Sequence, residues 1–309
     1  MSSIKKLYKY ITDEKYRLAV NMSKGVYNKM PDEEYLKFVF KARMGKELDL
    51  AHPESFSEKL QWLKLYDHDP RYTRMVDKYE VKRYAADLIG EQYIIPTLGV
   101  WDRFEDIDFA LLPDRFVLKC THDSGGNVFC TDKSRLNMDQ AREKIRKSLK
   151  RNYYYLGREW PYKNVRPRII AEEYMEDDPA RPDAVGLSDY KIHCFSGVPK
   201  FILVCRDRFS TGGLTEDFFD TQWDHLDVRR EKHGNAAQEI ERPKELEKML
   251  ELAERLSSGI PFLRCDFYTV QNKIYIGELT LFPANGFEKF LPESFDYKIG
   301  KWLVLPELK

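Results

Sequence analysis

The sequence has no excess of charge of either sign. Its 309 residues hold 51 Lys and Arg against 51 Asp and Glu. Proteins that bind nucleic-acid backbones carry a basic excess, so this balance argues against a nucleic-acid partner. No apolar run approaches the ~20 residues that span a bilayer, and the first residues are too charged for a signal peptide. We therefore expect no transmembrane segment.

Cysteine is scarce and follows no metal-binding or disulfide pattern. The five cysteines are scattered and none forms a CxxC pair: Cys120, Cys130, Cys194, Cys205 and Cys265. This pattern is typical of reduced thiols, and we expect a cytoplasmic location. The 42% hydrophobic and 33% charged residues are typical of a globular protein with a sizeable core.

The N-terminal part is mildly basic and reads as helical. The first 50 residues hold 11 Lys or Arg against 7 Asp or Glu. A basic helix of this kind could make weak contact with an anionic membrane surface. The alternative is an ordinary solvated helix face, and the charge pattern favours it.

Apolar periodicity divides the chain into a helical part and a mixed part. Helical spacing predicts helices over residues 1–75, and the stretch SFSEKLQWLKLY begins with a helix cap at Ser55 or Ser57. Further along, alternating apolar runs predict strands, with hairpin turns at Ser196–Gly197 and Gln271–Asn272. Helices are predicted between them, near residues 77–88, 137–151 and 243–257. The pattern indicates an α+β fold.

The last predicted hairpin carries two carboxylates. Side chains alternate across a strand, so Arg264 and Asp266 share one face, and Glu278 and Thr280 share a face of the next strand. If Asp266 lies opposite Glu278, the two carboxylates repel unless a cation lies between them. Mg²⁺ prefers such oxygen ligands together with substrate phosphates. Arg264 beside them could hold a phosphate or a developing oxyanion.

This prediction depends on the turn. A three-residue turn pairs Val270 with Ile274 and brings the carboxylates face to face. A two-residue turn would set Asp266 opposite Gly277 and remove the site. The competing interpretation is a cross-strand ion pair between Arg264 and Glu278 on a solvated face.

Lysines and a glycine-containing loop precede this hairpin. Lys119 ends the apolar run FVLK, and a buried lysine needs an anion, which a phosphate would supply. The following loop, residues 121–127, offers small residues whose backbone N–H groups can approach phosphate oxygens. Lys78 lies at a predicted helix start. Taken alone, the loop is more often a turn that joins two strands, here Phe116–Lys119 and its return partner Asn127–Cys130.

Two further patterns lie between the lysines and the hairpin. The apolar strand that begins at Ile169 runs into Glu172 and Glu173, which suits a linker whose backbone faces an adenine edge. Asp189, Lys191 and His193 then form a polar stripe on one face of a strand. The alternative for the stripe is a half-exposed sheet.

Together these pieces resemble the TupA-like ATP-grasp family of bacterial surface-polysaccharide biosynthesis. The matching stretches are FSEKLQWLKLYDHDPRYTRMVDKYEVKRY, EQYIIPTLGVW, FVLKCTHDSGG, NYYYLGREWPYKNVRPRIIAEEYM, DYKIHCFSGVPKF and PFLRCDFYTVQNKIYIGELTLFPANGFEKF. The resemblance implies an ATP-grasp fold, in which two α+β subdomains clasp ATP. We expect residues 1–75 to form a helical region and residues 76–309 the ATP-grasp domain, with a mobile lid over 110–170 and a metal-binding part over 171–300.

The resemblance also implies roles for individual residues. The residues implied in ATP binding are the two lysines, the lid, the hinge and one stripe residue: Lys78, Lys119, His122, Ser124, Gly125, Gly126, Glu172, Glu173, Met175 and Lys191. Asp266, Glu278 and Thr280 correspond to Mg²⁺ ligands, and Arg264 and Lys119 to catalytic residues.

The chain departs from the family pattern at three places, one of which is the helical region 1–75, where ATP-grasp enzymes usually carry an α/β domain. Thr280 stands where many ATP-grasp enzymes have asparagine, and a hydroxyl is a poorer Mg²⁺ ligand than a carbonyl. Asn285 lies in a Pro-Ala-Asn-Gly turn that could contact the acceptor. Arg206 and Arg208 could clamp a substrate carboxylate, or be surface charges.

The implied activity is an ATP-dependent carboxylate–amine ligase that forms an amide through an acyl phosphate. The substrates would be a sugar acid (uronate) and an amino acid or amine of a polysaccharide precursor. One alternative is a glycosyltransferase, for which Asp67-His68-Asp69 has the form of a DxD metal motif. The other is a non-catalytic ATP-binding protein.

Overall fold

The computed structural model describes residues 3–176, 187–206 and 213–307. The helices are α1 Ser3–Thr12, α2 Glu14–Ser23, α3 Asp32–Met44, α4 Phe56–Tyr66, α5 Arg71–Val76, α6 Glu80–Ile89, α7 Met138–Leu149, α8 Tyr154–Gly157, α9 Leu246–Ser257 and α10 Ser294–Gly300. The strands are β1 Thr97–Trp101, β2 Phe116–Cys120, β3 Val128–Cys130, β4 Ile169–Glu173, β5 Asp189–Phe195, β6 Val198–Arg206, β7 Thr215–Asp220, β8 Arg229–Arg230, β9 Phe262–Val270, β10 Lys273–Thr280 and β11 Phe290–Leu291.

The N-terminal region is helical, as predicted. Helix α4 begins directly after Ser55, one of the two predicted cap residues. The Ser55 side chain accepts from the backbone N–H of Glu58, and the Glu58 carboxylate accepts from the Ser55 N–H at 2.9 Å. This reciprocal capping box satisfies two N–H groups that an open helix end would leave unpaired. Of the two predicted caps, Ser55 is therefore the one used. None of the helices in the described residues is long and apolar enough to cross a membrane.

A four-stranded antiparallel sheet follows, in the order β1-β4-β2-β3. Alternate residues of β2, among them Phe116 and Leu118, are buried in a core that includes Ala141 and Ile145 of α7. The predicted hairpin between residues 116–119 and 127–130 is confirmed by the pairing of β2 with β3. We call this sheet, with α7, the small sheet.

A five-stranded antiparallel sheet, the large sheet, has the order β10-β9-β5-β6-β7. Helix α9 lies on it, and Leu246, Met249, Leu252 and Leu256 belong to the shared core. The predicted hairpin at Ser196–Gly197 joins β5 to β6, and both turn residues have left-handed φ, 49° and 83°. This is the backbone that a tight two-residue hairpin turn requires.

The α+β prediction is confirmed. The strands of the small sheet lie between Thr97 and Glu173. Strand β1 precedes residue 110 and β4 extends to Glu173, so the small sheet reaches beyond the predicted lid limits of 110–170. The division of the chain into subdomains at those limits remains a prediction.

Arg158 joins the helical region to the rest of the protein through an ion pair and hydrogen bonds. It is 1% exposed, and its guanidinium lies 3.1 Å from the Asp32 carboxylate and 4.2 Å from the centre of the Tyr35 ring. It also donates to the carbonyl oxygens of Tyr27 at 2.8 Å and Met30 at 3.1 Å. A buried charge needs such compensation, so the packing of α3 depends on a residue more than 100 positions later.

Candidate active site

A cleft lies between the two sheets. One wall is formed by α6, β2, the loop after β2 and β4; the other wall is the β9–β10 hairpin. The first wall contributes Lys78, Lys82 and Lys119, and the second contributes Glu278. Cationic side chains therefore line the same cleft as a carboxylate of the predicted metal hairpin.

The sequence predicted that Lys119 needs the negative charge of a phosphate. In the structure a side chain of the protein already supplies a negative charge. Its ammonium group forms an ion pair with the Glu172 carboxylate. Lys82 pairs with the same carboxylate at 2.6 Å and also donates to the carbonyl oxygen of Ile95. Glu172 therefore bridges two lysines, of which Lys82 was not predicted. Lys82 follows Lys78 by four residues within the predicted helix near 77–88, a spacing that could have identified it.

Burial and ion pairing act in opposite directions on Glu172. Burial alone would raise the pKa of its carboxyl, but Lys119 and Lys82 lower it to about 2. Glu173 beside it is exposed, and Met175 is half-buried. The adenine-reading roles of these three residues remain predictions.

The loop after β2 is fixed to α7. The His122 side chain is buried, and its Nε2 lies 3.1 Å from the carbonyl oxygens of Ser148 and Arg151. Burial lowers the pKa of His122. The Lys78 ammonium donates to the Asp123 carbonyl oxygen, which ties the first lysine to this loop. Lys78 itself precedes α6 and does not project from its first turn.

Gly125 and Gly126 of this loop are each required to be glycine, for different structural reasons. Gly125 has a φ of 88°, a backbone that side chains disfavour. A Cβ on Gly126 would lie 2.3 Å from the Ser148 hydroxyl oxygen. Ser124 and Gly125 line the cleft, so the loop presents small residues to it.

The carboxylates of the last hairpin face each other, by a different route from the one predicted. The turn has two residues, because Val270 pairs with Lys273. A bulge between Ile276 and Glu278 then shifts the register by one residue, so Asp266 still lies opposite Glu278. The expected three-residue turn was wrong, but the predicted pairing is confirmed.

The extra residue in the bulge is Gly277. A Cβ there would lie 2.4 Å from Cε2 of the Tyr268 ring. The ring occupies the space that any other residue would need, so the bulge depends on this glycine.

Asp266 is the centre of a buried charge cluster. Its carboxylate accepts from Arg264 at 2.6 and 2.7 Å and from Lys191 at 2.5 Å. Burial would raise the pKa of Asp266, but Arg264 and Lys191 hold it below its ordinary value. Arg264 also donates to the Thr280 hydroxyl at 3.0 Å, so it pairs with Asp266 rather than with Glu278. The cross-strand ion pair considered as an alternative is not formed.

The predicted stripe on β5 is buried and belongs to this cluster. Asp189 and His193 are 4% exposed, which excludes the half-exposed sheet. Lys191 lies 2.5 Å from Asp189 as well as from Asp266, and pairs directly across from Asp266 in the sheet. Burial raises the pKa of Asp189 and lowers that of His193.

Comparison with known proteins identifies the family to which the chain belongs. A family model described as TupA-like ATPgrasp matches residues 58–304, well over half of the chain. The chain belongs to the TupA-like ATP-grasp family. The predicted ATP-grasp fold, preceded by a helical region, is confirmed. No curated protein is recognisably similar to the chain in sequence.

Solved structures give weaker likenesses. The D-alanine–D-alanine ligase of Helicobacter pylori is 16% identical over 82% of this chain and 70% of that one, with a TM-score of 0.43. The ATP complex of the Bacillus anthracis ligase is 14% identical over 67% of this chain, with a TM-score of 0.38. The ATP-grasp ligase PsnB with a minimal precursor is 11% identical over 73% of this chain and 60% of that one, with a TM-score of 0.39. The chain spans about half the length of the B. anthracis enzyme, 53%.

The donor chemistry of the hairpin fits the Mg²⁺ that an ATP-grasp protein uses with ATP. Asp266 and Glu278 are opposed carboxylates, and Mg²⁺ is typically held by one or two carboxylates plus phosphate oxygens. The Thr280 hydroxyl accepts from Arg264, which makes it a weaker candidate ligand. Within the described residues no group of three or more His, Cys, Asp or Glu forms a metal site by itself. The remaining ligands would have to come from substrate and water.

The sequence did not reveal a second pair of buried charges beside this hairpin. Lys64 of α4 donates to the carbonyl oxygens of Gly157 and Asn285, both at 2.7 Å, and to Gln61 at 2.8 Å. Burial lowers the pKa of Lys64 to about 7 and raises that of the nearby Glu159 to about 7. Glu159 is 5% exposed.

Two tyrosines lie within the electrostatic influence of both Glu159 and the carboxylate hairpin. Glu159 and Glu278 both raise the pKa values of Tyr153 and Tyr162, after burial, which has the larger effect. The Tyr153 hydroxyl also lies beside Asn285 and Ser124. These aromatic residues lack a periodic pattern, so only the three-dimensional structure places them here.

The candidate substrate residues have different positions. The Oδ1 atom of Asn285 is buried without a hydrogen-bond partner. Arg206 ends β6. Arg208 lies outside the described residues. Their contact with substrate remains a prediction.

The DxD-like motif has a local structural role. It lies between α4 and α5, where the Asp67 carboxylate accepts from the Tyr72 hydroxyl at 2.8 Å. The Asp69 carboxylate accepts from the backbone N–H of Arg71 at 2.8 Å and from its guanidinium at 2.9 Å. Asp67 and Asp69 therefore hold the turn between two helices.

The Glu172 bridge leads to a prediction about stability. Glu172→Gln should lower the free energy of unfolding at neutral pH by about 3 kcal/mol, because two lysines in the interior lose their counter-charge. The loss should be full above the unfolded pKa of about 4.3. It should shrink as the pH falls towards 2, where the wild-type carboxylate is protonated as well.

Denaturant unfolding between pH 7 and pH 3 measures this effect, and Glu173→Gln is the matched control. Since Glu173 is exposed, its substitution should change stability by less than about 0.5 kcal/mol. Equal effects of the two substitutions would contradict the role of the bridge.

The Gly277 bulge leads to a second prediction. Gly277→Ala should force the Tyr268 ring aside or shift Glu278 away from Asp266, and so weaken Mg²⁺-dependent ATP binding. Overpacking of this kind costs about 1–3 kcal/mol of stability. Gly234→Ala is the control, because a Cβ there meets nothing within 4 Å. Calorimetric ATP titration with and without Mg²⁺ measures the effect, and unchanged affinity in Gly277→Ala would refute it.

Proposed function

We propose that the protein is an ATP-dependent, ADP-forming carboxylate–amine ligase. The observation that carries the proposal is the two-walled cleft, with Lys78, Lys82 and Lys119 on one wall and Glu278 of the carboxylate hairpin on the other. Membership of the ATP-grasp family supports ATP as the nucleotide. A triphosphate with Mg²⁺ has the charges that such a cleft complements.

The reaction has two steps. A carboxylate oxygen of the acid attacks the γ-phosphorus of ATP, the bond to the β-phosphate oxygen breaks, and ADP leaves with the electron pair. The lone pair of an amine then attacks the acyl carbon. The bond from carbon to the phosphate oxygen breaks, inorganic phosphate leaves, and the nitrogen loses a proton as the amide forms.

The residues of the chain have separate parts in this proposal. Lys78 and Lys119 bind phosphate oxygens, and the loop with Ser124 and Gly125 covers them and excludes water that would hydrolyse the acyl phosphate. Arg264 stabilises the negative charge that develops on the acyl oxygen. Asp266 and Glu278 would hold Mg²⁺, which neutralises phosphate charge when bound.

The substrate class is the finer part of the proposal and rests on the family resemblance. We propose a sugar acid, such as a uronate, as the carboxylate and an amino acid or amine of a surface-polysaccharide precursor as the acceptor. The buried Oδ1 of Asn285 and the carboxylate of Glu159 lie near the hairpin and can accept hydrogen bonds. Both could therefore bind the N–H groups of an amine substrate.

Trapping the acyl phosphate tests the reaction type with only one unknown substrate. The protein is incubated with ATP, Mg²⁺, hydroxylamine and a panel of acids labelled with oxygen-18 in the carboxylate. A ligase should release ADP, form a hydroxamate and transfer one labelled oxygen to inorganic phosphate. Release of AMP, release of UDP from a sugar nucleotide, or ATP binding without any turnover would each refute the proposal.

Substitution of Asp266 tests the assigned metal ligand. Asp266→Asn should lower Mg²⁺ affinity by more than about a hundredfold, since even residues that only support metal ligands contribute roughly 10–100-fold. Asp220→Asn is the matched control, because Asp220 ends β7 at the opposite edge of the large sheet. Mg²⁺-dependent ATP binding that is intact in Asp266→Asn would contradict the assignment.

A further inference from the structure

Helix α1 presents its apolar side chains to the outside. Leu7, Tyr8 and Ile11 are 62%, 70% and 65% exposed. At positions i, i+1 and i+4 they lie on one face of the helix. An amphipathic helix of a globular protein normally turns this face towards the core. Here the exposed apolar face needs a partner outside the described chain.

Helix α1 is also held by polar contacts with α2. The Tyr10 hydroxyl donates to the Asn21 side chain at 2.8 Å, and Arg17 donates to the carbonyl oxygen of Ile11 at 3.1 Å. These contacts orient α1, so the outward direction of Leu7 and Ile11 is a consequence of how the two helices are joined.

Positive charge is concentrated around the same helix. Lys5, Lys6 and Lys9 are exposed, and α1 has no acidic residue. Residues 3–29 contain only two acidic residues, Asp13 and Glu14. The basic residues in the same range are Lys5, Lys6, Lys9, Lys15, Arg17, Lys24 and Lys29. Seven against two gives a net charge of +5, in a chain whose total is zero.

We propose that α1 docks on an anionic lipid bilayer. Leu7, Tyr8 and Ile11 enter the boundary between headgroups and acyl chains, while the lysines remain at the level of the lipid phosphates. With ten residues, the helix lies in the interface and does not span it.

A second copy of the chain is the less suitable occupant. In a symmetric dimer the same patch faces itself, so two regions that each carry a net charge of +5 would be brought together. Close like charges oppose such a contact. An anionic lipid surface attracts the basic residues and also covers the apolar ones. It therefore complements both the charge and the exposed apolar face of α1.

Vesicle flotation of the full-length protein tests the apolar half of the proposal. The protein should float with phosphatidylcholine–phosphatidylglycerol vesicles and much less with phosphatidylcholine alone. Leu7→Glu/Ile11→Glu should abolish flotation. Leu111→Glu/Val304→Glu is the matched control, because these side chains are 83% and 67% exposed elsewhere on the surface, and it should float like the wild type.

The lysines are tested separately. Lys6→Gln/Lys9→Gln should lower the vesicle partition coefficient by about fivefold per lysine, since each basic residue near an anionic surface contributes about 1 kcal/mol. Circular dichroism and ATP binding should be unchanged in all variants, which separates docking from folding and from the proposed ligase reaction.

Three results would overturn the proposal. The first is a wild-type protein that does not float with anionic vesicles. The second is a Leu7→Glu/Ile11→Glu variant that floats like the control variant. The third is a wild-type dimer in size-exclusion chromatography that this variant converts to a monomer while flotation is absent, which would assign the apolar face to a second copy.

Discussion

The buried carboxylate of Asp266 is the constraint on which the site depends. A carboxylate at 1% exposure is stable only with nearby positive charge, and Arg264 and Lys191 supply it through hydrogen bonds of 2.5–2.7 Å. Because Lys191 lies on β5 and Arg264 on β9, satisfying this one group fixes the side chains of two neighbouring strands. The adjacent β10 then brings Glu278 opposite the same carboxylate.

The other wall of the cleft repeats this arrangement with different residues. Glu172 is a buried carboxylate that two lysines, Lys82 and Lys119, hold ionised. Counting Lys78, that wall has three lysines against one glutamate, whereas the hairpin residues that line the cleft include Glu278 and no lysine or arginine. The walls therefore differ in sign. Side chains already ordered by internal ion pairs need little rearrangement when a charged ligand enters, which is the basis of electrostatic preorganisation.

Sequence patterns predicted the elements and most of the hairpin, because strand alternation and helix caps are local. The pairing of Asp266 with Glu278 was predicted from an incorrect turn. A two-residue turn and a bulge at Gly277 together produce the same register as a three-residue turn without a bulge. The space that the bulge needs beside the Tyr268 ring is set by packing, and a short-range pattern contains no information about it.

The charges that were missed are long-range pairs. Lys64 contacts Gly157 and Asn285, which lie 93 and 221 positions further along the chain. Neither Lys64 nor Glu159 differs in sequence from an exposed residue of the same type, so the burial that shifts their pKa values is visible only in the folded chain.

Contacts of this kind also join part of the helical region to the rest of the protein. The family match begins at residue 58, inside α4, yet α3 is joined to the matched part through Arg158 and Asp32. Helix α4 is joined to the loop after β10 through Lys64 and Asn285. Among the described contacts of helix α1, Tyr10 and the Ile11 carbonyl oxygen form hydrogen bonds with α2, and Leu7, Tyr8 and Ile11 are exposed. Helices α3 and α4 are therefore joined to the matched part by buried charged residues, whereas the side-chain hydrogen bonds described for α1 join it to α2. A surface contact made through α1 would leave the charge pairs of the cleft intact.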